Sequence, residues 1–305
     1  MKTSTVTAYK KEWQQLFPRA AHISPFLSYE WFTALQRHLL HRSCELLTFW
    51  QGDMLVGIAP VEIIDDTLVF IADERVTDLC DIIYDQEFES DIIDALSNMI
   101  VQDGLAIDLF PVQQNSPLAA LLPERVSDVR TERRDICPFI SLPGTWEQYL
   151  MTMNGKQRHE LRRKLRKAGD STFNAIPGSN ISALFELMTA SDPGKRQFLT
   201  SDIRNFFQDI ALAFENMGWL RLRGTYLSDR LISVLFSFHL QKTVYLYNSG
   251  FDPGCAHLSP GIVSICQDIQ SAIHEGMTHY DFLRGDEKYK YQFGAEDRAT
   301  VRILR

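Results

Sequence analysis

Two stretches of this chain run through the same order of elements, and that repetition limits the possible folds more than any other feature. In the first, apolar arms Glu45 to Trp50 and Met54 to Ile64 flank the turn signal Gln51-Gly52-Asp53. Strands near Leu68 to Ile71 and Leu79 to Tyr84 follow, then a helix from Glu87 to about Gln102 and a buried strand Leu105 to Phe110. In the second, arms Trp219 to Leu227 and Leu231 to Leu240 turn at Ser228-Asp229-Arg230. A strand Thr243 to Asn248, a helix from Ile262 to about Glu275 and a strand His279 to Leu283 complete it. Gly52 to Asp108 spans 56 residues and Asp229 to Asp281 spans 52; each helix ends in an acidic residue and Gly (Asp103-Gly104, Glu275-Gly276) before a strand that carries an aspartate. An internal duplication accounts for this economically, chance similarity of two α/β units being the competing explanation. The expected fold class is therefore α/β, with mixed sheets in two domains. Pro and Gly punctuate the chain at Ser141-Leu142-Pro143-Gly144, which sets the domains at 1–143 and 144–305.

Composition fits that reading. The 305 residues are 45% hydrophobic and 23% charged, enough for each half to bury its own core. A net charge of −8 excludes a general coat for nucleic acid or anionic membrane. No uninterrupted apolar stretch marks a signal peptide or membrane helix, so membrane insertion is not expected and the cytoplasm is the expected location. The five cysteines include no pair at metal-knuckle spacing and read as reduced thiols; no metal site is expected.

Three segments in the second half concentrate polar chemistry. From Gly155 to Lys167 lie seven basic residues and one acidic residue, a local charge of +6. At 100° per residue Leu161, Leu165 and Ala168 form a core-facing stripe, with Arg158, Arg162 and Arg166 along one edge. Guanidinium forks there suit phosphates or carboxylates, whereas Lys156, Arg163 and Lys167 point away and read as a solvated face. The stretch Tyr245-Leu246-Tyr247-Asn248-Ser249-Gly250-Phe251-Asp252 is a strand running into a turn, and Leu258-Ser259-Pro260-Gly261 reads as the start of a helix. Ser259 is expected as N-cap and Pro260 as first helical residue, leaving free backbone N–H groups near Gly261 and Ile262 that suit an anion; capping alone explains the same residues. In Tyr280-Asp281-Phe282-Leu283-Arg284-Gly285-Asp286-Glu287-Lys288-Tyr289-Lys290, Asp281 is costly in a buried strand unless hydrogen-bonded or functional. Asp286 is expected to cap a short helix ended by Gly294; within it an ordinary surface ion pair of Glu287 with Lys290 and packing of Tyr289 and Phe293 compete with a functional reading of the same residues. Asp108 has no such segment after it, so chemistry is expected in the second half alone. Cys255 with His257, and His38 with His41, lack a third partner at a recognisable spacing.

Together these segments resemble the CelD-type (cellulose biosynthesis) branch of the GNAT acyltransferase superfamily, closely over residues 145–295, and more distantly the FemABX-like peptidyltransferases. The resemblance implies two GNAT-like domains in tandem, the first noncatalytic. It implies that an acyl donor lies between two splayed strands, here Thr243 to Asn248 and His279 to Leu283, with its phosphates at Ser259, Gly261 and Ile262. The usual superfamily pyrophosphate signature is absent between Asp252 and Gly261, so the expected donor is acyl-CoA or an acyl carrier protein thioester. The acceptor is expected to be an amine or hydroxyl of a small molecule or glycan precursor. Asp281 is expected as base or acceptor orienter, Tyr247 or Tyr289 as acid, Lys290 beside them, Arg158 and Arg162 at the donor, and Arg284 and Glu287 at the acceptor. Two other classes compete: a FemABX-like enzyme using aminoacyl-tRNA, the only reading that involves nucleic acid, and a noncatalytic binding factor in polysaccharide assembly.

Overall fold

The computed structural model describes residues 1–305, the side chain of Ser4 excepted. The chain divides into two units, Met1–Asp135 with Arg298–Arg305, and Ile136–Asp297.

The first unit opens with β1 (Lys2–Thr5), α1 (Lys10–Leu16) and α2 (Tyr29–Leu35), the last begun by Ser28, whose hydroxyl accepts from Trp31 N–H. β2 (Glu45–Gln51) and β3 (Met54–Ala59) form the expected hairpin, and with β1 and β6 (Ile83–Tyr84) they make a sheet of order β1-β2-β3-β6. The expected second arm, Met54 to Ile64, is split at Pro60, which has no N–H to give a ladder. Its remainder becomes β4 (Val61–Ile64), paired with β5 (Thr67–Phe70), which pairs with β7 (Ala106–Gln113) beyond α3 (Glu89–Gln102). The expected strand Leu79 to Tyr84 shrinks to β6 because the buried Asp81 carboxylate accepts from the Ile82 N–H at 2.8 Å, bending the backbone out of ladder geometry. α4 (Pro117–Arg125) and β8 (Arg130–Ser141) follow. Ile82, Ile93, Leu96, Ile100, Leu109, Leu122 and Ile303 form the centre of this unit's core.

The second unit contains α5 (Trp146–Thr152), α6 (Gly155–Ala168), β9 (Thr172–Ala175), α7 (Ser182–Ser191), α8 (Gly194–Phe198) and α9 (Ser201–Asn216). After them come β10 (Leu220–Leu227), β11 (Arg230–Leu240), β12 (Thr243–Phe251), α10 (Pro260–His274) and β13 (His279–Asp281). The last strand, β14 (Glu296–Leu304), returns the chain to the first unit. The second unit's sheet runs β8-β13-β12-β11-β10-β9. One face packs on α10 through Leu235, Val244, Leu246, Ile265, Ile269 and Tyr280. The other carries an aromatic cluster in which Phe207 and Phe214 of α9 meet Phe236, Phe238 and Tyr247.

The units divide at Asp135/Ile136, and not at the Pro143-Gly144 punctuation, because of long-range pairing. Residues 136–141 join the second unit through β8–β13, with Ser141 opposite His279 and Phe139 opposite Asp281. β14 joins the first unit through β7, with Ile303 opposite Leu109 and Leu304 opposite Asp108. Each unit keeps the repeated strand–helix–strand core. β5 pairs with β7 in parallel at Thr67–Ala106, Leu68–Ile107 and Val69–Asp108, and β12 pairs with β13 in parallel at Thr243–His279, Val244–Tyr280 and Tyr245–Asp281. Among the described residues no helix is long and apolar enough to cross a membrane.

Candidate active site

The strands β12 and β13 are partners for three residues and then part. β12 continues to Phe251, while the chain after Asp281 turns at Leu283, whose φ of 56° is left-handed. The turn is held by Asp281 itself, whose Oδ1 accepts from the Leu283 N–H at 2.8 Å. On β12 the register skips between Leu246 and Asn248, leaving Tyr247 as a bulged residue without an opposite number on β11. The bulge strengthens local twist and bends β12 away from β13. At Gly250 the α7 backbone presses on the strand so closely that a Cβ would lie 2.4 Å from the Met188 nitrogen. Glycine is required there by packing.

A cavity of about 270 Å³ lies against the end of β12 beyond its pairing with β13, lined by Ser249, Phe251, Ala256, Ser259, Pro260, Gly261, Ile262, Ile265 and Tyr289. Its floor is the start of α10. Pro260 brings no N–H, and the first backbone bond of the helix runs from Val263 N–H to Ser259 C=O, so the N–H groups of Gly261 and Ile262 precede the helical ladder. Ser259 sits at the N-cap, but in the left-handed region (φ 55°), and its hydroxyl makes no capping bond. The expectation of a side-chain cap is corrected: the left-handed backbone replaces the extended conformation from which an N-cap hydroxyl bonds the first turn. The walls are mainly apolar, and among the described residues none of those lining the cavity is Lys or Arg.

Tyr289 is the residue of the acidic-aromatic segment that reaches this cavity. Burial, and then the nearby Glu287 carboxylate, push its phenol well above the usual tyrosine range, so it stays a neutral O–H donor at physiological pH. Asp281 is buried, and the register sets it beside Tyr245, which lies opposite Phe238 on the face covered by α9. Ser249 and Phe251 project from the opposite face, toward α10. Tyr247 lies in the aromatic cluster against Phe207, Phe236 and Phe238 and is not among the residues lining the cavity.

Lys290 is no surface residue. Its ammonium is buried and donates to the carbonyls of Leu283, Arg284 and Gly285 at 3.3, 3.0 and 2.9 Å, with the Glu287 carboxylate at 2.8 Å. It pins the turn after β13, and the expected surface pair with Glu287 has one buried and one exposed end. Gly285, at φ 112°, lies so close to the Glu287 carboxylate that a Cβ would come within 2.5 Å of it. Arg284 is half-buried and its carbonyl accepts from the Lys290 ammonium; Glu287 is exposed. The short helix expected from Asp286 is a 3-10 turn over Lys290–Phe293, ended by Gly294 at φ 74°, since the preceding residues are drawn into the Lys290 clasp.

On α6, Asn154 and Gln157 form a capping box, and the Gln157 side-chain amide also donates to the Tyr291 carbonyl at 2.8 Å. Arg158 is half-buried, Arg162 and Arg166 are exposed, and Arg163 is paired with Glu160. Lys164 donates to the Gln292 Oε1 at 3.1 Å. Sequence reasoning passed over it, although it borders the Leu161 stripe on the side opposite Arg158. It also passed over a buried ionic network behind the cavity. Arg221 of β10 reaches Asp268 of α10 at 2.7 Å and also pairs with Glu275, and the Tyr280 hydroxyl donates to Asp268 at 2.9 Å. Arg223 joins through Glu275 at 2.8 Å. The available signal was Asp268 within an otherwise apolar helix face and two arginines at alternate positions of a strand. Among the described residues no group of His, Cys, Asp or Glu is placed to hold a metal ion.

Residues 155–291 match a family described as acetyltransferase (GNAT) domain. A comparison with curated proteins gives no match. The crystal structure of FemX aligns with 99% of this chain and 97% of its own at 12% identity and a TM-score of 0.66. The C-terminal domain of a putative lysylphosphatidylglycerol synthetase from Agrobacterium fabrum aligns over 97% and 90% at 9% identity, with a TM-score of 0.62. A tandem GNAT protein from the clavulanic acid biosynthesis pathway aligns over 99% and 97% at 8% identity, with a TM-score of 0.50. At such identities the structural likeness is one of fold.

Proposed function

Because residues 155–291 form a GNAT domain within a tandem GNAT-like fold related to that of FemX, we propose that the chain is an acyltransferase of CelD type. It moves an acyl group from a thioester, acyl-CoA or an acyl carrier protein, to an amine or hydroxyl of a small molecule or glycan precursor. The observation that carries this reading is the cavity against the end of β12 that runs on past its pairing with β13, floored by the start of α10.

The fit to a donor is specific in kind. An apolar, elongated arm matches walls of Phe251, Pro260, Ile262 and Ile265, and an anionic group matches the N–H groups of Gly261 and Ile262. With no Lys or Arg in the lining, backbone dipoles and N–H groups bear the anion, and Arg158 and Arg162 of α6 lie outside the lining. A thioester donor supplies an activated carbonyl and a thiol leaving group. Tyr289, held neutral, delivers the proton that the departing thiolate needs. Asp281, buried at the parting of the strands, orients the acceptor and takes its proton. Lys290 positions both by clasping the turn between them. The first unit lacks the Arg284 to Lys290 segment and serves as a noncatalytic partner.

Thiol release from acetyl-CoA and from acetylated acyl carrier protein, with panels of amine and sugar-amine acceptors, tests this. Failure of every donor to release thiol, with a ligand still bound, favours a noncatalytic binding factor. The exposed arginines of α6 and the FemX-like fold favour a second reading, in which the donor is an aminoacyl-tRNA. Donor affinity would then fall steeply between about 50 and 200 mM salt, as a power of the salt concentration whose exponent grows with the number of phosphates neutralised.

A further inference from the structure

Three buried side-chain atoms without a hydrogen-bond partner belong to neighbouring positions on one sheet face: Arg221 Nε, Ser237 Oγ and His239 Nδ1. Their proximity follows from register. Arg221 of β10 is directly opposite Ser237 of β11, and His239, two residues further on, shares that face and gives its backbone N–H to the Trp219 carbonyl. Facing residues stand about 5 Å apart at Cβ and diagonal ones about 7–8 Å, so these side chains lie within reach of one bridging molecule. Burying a polar atom without a partner is costly, which makes three neighbouring ones a poor arrangement unless something joins them.

We infer that these three atoms share one buried water molecule that completes the Arg221 network. The donor and acceptor inventory closes. The two Nη atoms of Arg221 are committed to Glu275 and Asp268, and its remaining Nε–H donates to the water. The water donates to His239 Nδ1 and exchanges a hydrogen bond with Ser237 Oγ, giving it three partners. The charge argues for a neutral occupant. The groups packed on the node are Arg221 and Arg223 of β10, Asp268 within α10, Glu275 at its C-cap, and the hydroxyl of Tyr280 on β13, so two guanidinium ions face two carboxylates. Burial, and then Arg221, depress the imidazole of His239, which keeps it neutral and able to accept. A halide would add an unbalanced charge. The water thereby ties β11 to a network that already joins β10, α10 and β13.

A crystal structure of the whole chain at about 1.5 Å should show one peak within roughly 2.7–3.2 Å of all three atoms. Crystals soaked in sodium bromide should show no anomalous signal there. In solution, ¹⁵N spectra should find His239 Nδ1 unprotonated and Nε2 protonated at pH 7, and Ser237→Val should remove the peak while the wild-type protein retains it. A bromide signal at the node would replace the water with an anion site. Direct contact among the three atoms with no peak, or a proton on Nδ1, would overturn the inference, and neither result depends on a variant that folds.

Discussion

Two parallel strand pairs, built on one plan, end in aspartates with different surroundings. Val69–Asp108 closes the pair in the first unit and Tyr245–Asp281 the pair in the second. Asp108 is half-exposed and held by the guanidinium of Arg302 on β14 through both carboxylate oxygens, the second at 2.5 Å. Asp281 is buried, and one of its oxygens holds the turn of its own chain at Leu283. Beyond Asp108 the first-unit strand simply continues as β7 to Gln113. Beyond Asp281 the chain leaves the sheet, Lys290 clasps the turn, and a cavity lies at the start of α10. A repeated frame thus carries a cavity beside it in the unit whose strand stops early.

The sharpest way to break this comparison is to neutralise each aspartate in turn. Asp281→Asn should lower kcat/KM by roughly 10²–10⁴-fold, the range expected for a lost general base, with the far-ultraviolet circular dichroism unchanged. Asp108→Asn should change it less than about threefold, and the loss of a half-exposed ion pair should cost about 1 kcal/mol or less. Equal losses of activity would make both aspartates structural.

The first unit has its own buried carboxyl, and the expected effect there is on stability. Burial lifts Asp81 to about 7, against hydrogen bonds from Ser116 and the Ile82 N–H that favour its charged form. A carboxyl raised in the fold binds more protons in the folded than in the unfolded chain between about pH 4 and 7, so its contribution falls as pH rises through that window. The difference between 3.8 and about 7 corresponds to on the order of 4 kcal/mol. Asp81→Asn should therefore raise Tm at pH 7.5 and lose that advantage by pH 4.5. Parallel Tm-against-pH curves for the two proteins would show that Asp81 does not titrate in this window.

Gly261→Val separates the donor cavity from the frame around it. A Cβ at this position would meet the Phe251 Cδ1 at 3.7 Å, an ordinary contact, so the protein should fold, with the larger side chain taking cavity space. Donor KM should rise about ten- to a hundredfold, as for roughly 1.5–3 kcal/mol of lost charge-assisted binding, with acceptor KM nearly unchanged. Normal donor binding would move the donor elsewhere. The smallest effect belongs to α6, where Arg158→Ala and Arg162→Ala should leave a thioester donor unchanged and each weaken an aminoacyl-tRNA donor severalfold, while Arg163→Ala, which only releases Glu160, should change neither. Titration of all three would reveal a diffuse basic surface if the effects were equal.

The expected elements fell close to the observed ones where a local signal was strong. The Gly52 turn, the Asp-Gly and Glu-Gly helix ends and the Ser-Pro-Gly start of α10 all depend on backbone preferences of a few consecutive residues. The Leu79 to Tyr84 strand was misread because a side chain, Asp81, competes with the ladder for an N–H, and hydropathy does not register that competition. For Lys290 the i,i+3 pair with Glu287 is present, but its burial was not legible. Its sequence neighbours suggest a pair in water, whereas its ammonium also donates to three carbonyls of a turn beyond β13, which is docked between β8 and β12.

The sequence by itself determined the repeated order of elements and the half that carries the polar segments, because periodicity, turn chemistry and capping act over short separations; of its candidates, Ser259, Gly261, Ile262 and Tyr289 line one cavity. Tertiary structure alone decided that the last strand belongs to the first unit, that Tyr247 faces an aromatic core, and that Arg221, Asp268 and Tyr280 meet. These outcomes rest on strand partners chosen between distant residues. One residue of register or one bulge turns a side chain to the other face, and a single amino-acid sequence does not record which partner wins.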